Sequence, residues 1–201
     1  MDRKARLVGV LAMVVGLAFT TPAGATTVLI REFRYRPELV SLSQKDGLTE
    51  VRLARGIPEY RPGRPDLPML DERVEIPVGT RVTRVDVLVV ESAPLGEAVT
   101  VAPAVEIRRD AGPERRTPPD PAWYARGGVQ PADPVVLGYQ GFERGRHFAL
   151  LQISPVRWDA ASRRLERVTR LVVRISLEPS GIQPLTRERI VPDWEDDRAA
   201  G

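Results

Sequence analysis

The sequence predicts an all-β chain, an antiparallel β-sandwich of two packed sheets carrying a long exposed loop and an irregular C-terminal tail. Nineteen prolines and sixteen glycines interrupt the 201 residues, leaving little room for long helices between breakers. Several segments alternate apolar and polar residues with a period of two, the pattern of strands with one buried face. No cysteine is present, so an exported chain must draw its stability from core burial, and this length can supply one core.

Export itself is read from the first residues. Arg3, Lys4 and Arg6 precede an apolar run from Leu7 to Phe19, and Ala23, Gly24 and Ala25 follow, the charged, apolar and cleavable parts of a signal peptide in order. Cleavage is expected after Ala25. A membrane anchor is the competing reading, but about 13 apolar residues span about 20 Å as a helix, short of a hydrocarbon core of roughly 30 Å. The expected chain is secreted, periplasmic or extracellular, with no membrane association once the signal is removed. Removal takes three basic and one acidic residue from totals of 30 and 27, leaving 27 and 26. So nearly neutral a chain offers no electrostatic field for nucleic acid.

Strands are expected at Thr27 to Ile30, Thr49 to Leu53, Arg73 to Ile76 and Arg81 to Val90. In the last, Val85, Val87 and Val89 alternate with Arg84, Asp86 and Leu88. Pro77 cannot donate to a ladder and Gly79 tolerates positive φ, so a turn over Pro77 to Thr80 is expected to join two of these strands as a hairpin or meander pair. A second pair, His147 to Ile153 and Arg167 to Leu177, is expected to form a long hairpin with an irregular tip. Leu171, Val173, Ile175 and Leu177 would face inward, with Val172, Arg174 and Ser176 outward. Such strands suit two sheets packed about 10 Å apart. Arg108 to Pro121 holds four prolines and one glycine among charges, which excludes a central strand and predicts an exposed loop. Loops of this length usually carry a function or are disordered. The expected organisation is a signal peptide over 1–25, a sandwich over 26–180 and a polar linker or tail over 181–201, without internal repeats.

His147 is the sole histidine. With no cysteine, the chain has neither a two-histidine metal site nor a cysteine–histidine pair, and it lacks the G-x-S-x-G of an elbow serine. A structural His147 is expected, and no catalytic residue, metal or cofactor. A carboxylate pair could still make a glycosidase, but most acidic residues stand beside arginines in turns or on outward strand positions. Asp193 to Asp197 lacks the spacing and glycine of a calcium loop. The arginines from Arg108 to Arg126 are more informative, because an exposed arginine presents a planar five-donor fork that suits a carboxylate-bottomed pocket.

Three stretches resemble the propeptide family of gingipain-like cysteine peptidases, the prodomains that precede a caspase-like catalytic domain. The first runs from Gly56-Ile57-Pro58 through Gly63-Arg64-Pro65-Asp66-Leu67-Pro68 to Ile76-Pro77-Val78-Gly79-Thr80. The second is Trp123-Tyr124 with Pro131, Pro134-Val135-Val136-Leu137 and Phe142-Glu143-Arg144-Gly145-Arg146. The third is Leu151-Gln152-Ile153-Ser154-Pro155-Val156-Arg157-Trp158 with Leu165 and the strand to Leu177. They cover most of residues 48 to 178 in order. The resemblance implies a β-sandwich prodomain that assists folding of a peptidase and keeps it latent, its partner being a cysteine peptidase catalytic domain in cis or in trans. No such domain lies within the 201 residues, which implies an excised precursor segment or a solitary prodomain. Arg115, Arg116 or Arg126 would enter the peptidase's specificity pocket, and Arg187, Arg189 and Arg198 would be processing sites. The competing reading is a free-standing secreted sandwich for adhesion, glycan binding or envelope structure. Trp123, Trp158 and Trp194 are scattered over turns and tail and form no obvious sugar platform.

Overall fold

The computed structural model describes residues 26–59, 61–105 and 117–181. Their elements are β1 (Thr27–Arg34), β2 (Val40–Lys45), β3 (Leu48–Leu53), β4 (Leu70–Glu75), β5 (Thr80–Gly96), α1 (Pro121–Tyr124), β6 (Val129–Gln130), β7 (Val135–Glu143), β8 (Arg146–Ile153), β9 (Val156–Asp159) and β10 (Arg164–Pro179). Every pairing between these strands is antiparallel.

β10 is the spine of the larger sheet. Its inward face is as expected, with Leu171, Val173, Ile175 and Leu177 wholly buried and Arg174 exposed, but Val172, expected outward, is buried too, flanked by Glu32 of β1 and Val89 of β5. One edge pairs with β5 along nearly its whole length, and the other is shared end to end by β9 and β1. At the seam the Tyr35 amide donates to the Thr169 carbonyl at 3.0 Å and the Val168 amide to the Pro155 carbonyl at 2.8 Å. The Arg167 guanidinium donates to the Tyr35 carbonyl at 2.7 Å. β4, β8 and β7 make the second layer. Val74, Val135, Ala149, Leu151 and Ile153 from that layer meet Phe33, Val82 and the inward residues of β10 in one core. Each large aliphatic side chain there contributes about 1.5–3 kcal/mol by leaving water.

Neither expected hairpin forms. β4 pairs with β8 whereas β5 pairs with β10, so the turn at Pro77 to Thr80 is a corner between layers. Its Thr80 hydroxyl donates to the Pro77 carbonyl at 2.7 Å, and Gly79 has φ of 77°. β8 and β10 likewise belong to different layers. The segment read as an irregular tip contains β9, which itself makes a hairpin with β10. A period of two specifies which face of a strand is buried, not which neighbour it pairs with, and strands from opposite layers bury their faces in the same core.

The phase of β5 also departs from expectation. Val85, Val87 and Val90 pack on the core, in place of Val89. The pairing with β10 skips Thr83 and Leu88, and each extra residue in a bulge moves the alternation by one position. Leu88 is left 47% exposed.

A second core lies under the β2–β3 hairpin, formed by Val51, Leu67, Val99, Val101, Val156, Trp158, Ala160 and Leu165. Trp158 donates its indole N–H to the Val99 carbonyl at 3.0 Å and meets Tyr124 edge to face at 5.4 Å. His147 is structural. It is buried, stacks on Phe142 with centroids 4.3 Å apart, and donates Nδ1–H to the Pro77 carbonyl at 3.1 Å, bracing the corner.

Candidate partner-binding site

The segment around Gly63 gathers the residues that matter here. The chain after β5 passes β3, where the Thr49 amide donates to the Thr100 carbonyl and the Ala102 amide to the Thr49 carbonyl, each at 2.8 Å. It then runs beside residues 63–66. The Asp66 amide donates to the Ala102 carbonyl at 2.8 Å, the Ala104 amide to the Arg64 carbonyl at 2.7 Å, and the Gly63 amide to the Ala104 carbonyl at 3.3 Å. From the other side the Asp120 amide donates to the Gly63 carbonyl at 2.8 Å. Residues 104 and 120, which bracket 106–116, are therefore both tied to Gly63. That glycine has φ of 82°, and a Cβ on it would sit 3.2 Å from the Pro118 carbonyl oxygen.

Helix α1 follows directly. Asp120 caps it, its carboxylate accepting from the Ala122 amide at 2.9 Å, and Pro121 fills the first helical turn, the residues such a start favours. This single turn presents Trp123. The Arg64 and Arg126 guanidinium carbons lie 4.0 and 4.3 Å from its ring centroid. The buried Gln130 holds the turn in place, its amide donating to the Trp123 carbonyl at 3.0 Å.

A cleft of about 280 Å³ opens here, lined by Glu59, Arg61, Arg64, Trp123, Arg126 and Gln130 among others. Arg61 is committed to Glu59 by two hydrogen bonds, of 2.8 and 2.7 Å. Burial alone would raise the Glu59 carboxyl, but bonds from the Arg61 side chain and backbone, with the charges of Arg61 and Arg64, hold it below its ordinary value. Asp66 accepts from the Glu59 amide at 3.1 Å. Its carboxyl is raised, first by burial and then by the charges of Glu59 and Glu50, against the lowering effect of that amide.

Asp66 yields a pH prediction. A carboxyl raised in the folded state holds its proton more tightly there than in the unfolded chain, so it adds stability below its unfolded value, and this is lost as pH rises through the folded one. Asp66→Asn keeps an acceptor for the Glu59 amide. It should remove that part of the gain on acidification from neutral pH toward 4, as read from urea midpoints across the range. Identical pH profiles for variant and parent would contradict this.

Of the residues singled out from sequence, Arg126 lies in the cleft. Arg115 and Arg116 lie outside the described residues, as do Ala25, Arg187, Arg189, Arg198 and Trp194. Arg64 and Trp123 had not been recognised as a pair, since nothing local connects an Arg-Pro-Gly-Arg turn with a distant tryptophan. Among the described residues no helix is long and apolar enough to cross a membrane, and no group of three histidine or acidic side chains is placed to hold a metal ion.

No family model matches the chain, and no curated protein matches it in sequence. Solved structures do. One is the complex of Porphyromonas gingivalis RgpB pro- and mature domains, similar at a TM-score of 0.65 and 15% identity over 94% of this chain and 93% of that one. Another, on the zymogenic latency of gingipain K from Porphyromonas gingivalis, is similar at 0.55 and 18% identity over 83% of this chain and 98% of that one. At such identities the likeness is one of fold, and the fold this chain shares is that of the gingipain prodomains.

Proposed function

We propose that this chain is a secreted prodomain that assists the folding of a gingipain-like cysteine peptidase, encoded downstream or separately, and keeps it latent. The observation that carries the reading is the likeness to the RgpB complex over nearly the whole of both chains. The absence of cysteine and the structural placement of the sole histidine agree with it. The partner is the peptidase catalytic domain, in cis or in trans. Nanomolar latency needs about 12 kcal/mol, whereas one well-seated arginine is worth roughly 2–4, so a broad surface of about 1,600 Å² has to supply the rest. The segment from Arg108 to Arg126 approaches the catalytic cleft, and Arg115, Arg116 or Arg126 enters the specificity pocket. Residues 1–25 direct export with cleavage after Ala25, and cutting at Arg187, Arg189 or Arg198 releases the enzyme.

Size-exclusion chromatography of the purified chain with the gingipain-like catalytic domain from the same genome tests this. A 1:1 complex that shields the catalytic cysteine from an active-site alkylating reagent is expected. Changing Arg115, Arg116 and Arg126 together to alanine should weaken the complex at least tenfold. Separate elution and an unshielded cysteine would overturn the reading.

A further inference from the structure

Arg64, Trp123 and Arg126 form a stacked unit in which, beyond the charge of Arg64 acting on Glu59, the two guanidinium forks are not engaged by a carboxylate among the described residues. Among the described residues, neither Arg64 nor Arg126 makes an ion pair with a carboxylate, whereas Arg61 in the same cleft is fully engaged by Glu59. A guanidinium stacked on an indole keeps its N–H donors in the plane of the fork, free for an acceptor arriving at its edge. Two such forks on one indole cost little side-chain entropy to use, because the stack already orders them. The indole is itself positioned by the Asp120 cap and by Gln130.

We propose that Arg64 and Arg126, ordered on Trp123, form a clamp for a pair of carboxylates on an acidic surface segment of the partner. The assignment deepens the prodomain reading and rests on it for the identity of that partner, the peptidase domain. Charge complementarity selects the occupant: three arginines and one glutamate face the cleft, so its field favours a dianionic segment and disfavours a basic one. Planar forks favour carboxylates or phosphates bound two-pronged, and the clamp is assigned to carboxylates because the partner is a protein surface. Arg126 then works at the rim of the interface, which leaves Arg115 and Arg116 for the specificity pocket.

The test uses a tetraglutamate peptide, with tetralysine and inorganic phosphate in parallel, titrated into the purified chain while the indole N–H resonance of Trp123, assigned with Trp123→Phe, is followed. Tetraglutamate should give a saturable shift and tetralysine none. R64K and R126K keep the charge but lose the planar fork, and each should weaken the response about tenfold, while R146K, in β8 of the other layer, should leave it unchanged. An unmoved Trp123 resonance, or lysine variants that bind as the parent does, would overturn the clamp. So would phosphate binding as tightly as the peptide, which would mark a general anion site. Against the peptidase, R64A, which also removes the charge, should weaken inhibition about tenfold and flatten its dependence on salt. The peptide titration needs no peptidase. Its failure overturns the clamp alone, whereas failure of the parent chain to bind any peptidase overturns the prodomain reading alone.

Discussion

Trp158→Ala is expected to destabilise the chain by about 3–5 kcal/mol, the usual cost of emptying a large aromatic site in a core. Trp158 is 2% exposed and is the largest fully buried side chain among the described residues. From β9 it joins Tyr124 of α1 to the segment after β5 at Val99. Its removal leaves the Val99 carbonyl without its donor as well as a cavity, and the two costs add. Against a typical stability of about 5–15 kcal/mol this loss is large. Urea unfolding should show a lower midpoint at unchanged slope. Trp123, half-buried and stacked with arginines, should tolerate alanine with less loss. A Trp158→Ala variant within 1 kcal/mol of the parent would mean that the second core contributes little to stability.

Gly63→Ala should cost about 1–3 kcal/mol, combining left-handed backbone for a residue with a Cβ and a tight contact with the Pro118 carbonyl. The functional effect should exceed the stability effect. Gly63 bonds both Ala104 and Asp120, so shifting it slackens the two anchors of the arginine-rich segment together. Amide hydrogen exchange should quicken at Gly63 and Asp120 while the amides of β10 keep their protection. Binding to the peptidase should weaken in proportion. Unchanged exchange at both amides would show that Gly63 does not anchor the segment.

The inward face of β10 was legible because Leu171, Val173, Ile175 and Leu177 recur with a period of two and each bury completely, whereas Val172, buried between two neighbouring strands, breaks the alternation. Pairing was not legible, since Val74 and Val82 lie on opposite layers yet carry the same pattern. Nor were the bulges at Thr83 and Leu88, where no glycine or proline announces the extra residue. α1 has a local signal, Asp120 followed by Pro121, but one turn of helix is too short for its period to stand out from the prolines around it. The site was half legible: Arg126 stands out beside Gly127 and Gly128, but its partner Arg64 arrives only when the segment after β5 lies down along residues 63–66. The sixty-one residues between them hold β4 and β5, one strand from each layer, and tertiary closure alone brings the two guanidiniums to one indole.

The central claim is that this fold holds a cysteine peptidase latent. Peptide hydrolysis by the matching gingipain-like catalytic domain, measured against increasing amounts of the purified chain, tests it most directly. The account predicts a fall to background near one equivalent. Full activity at a large molar excess of folded chain would contradict it.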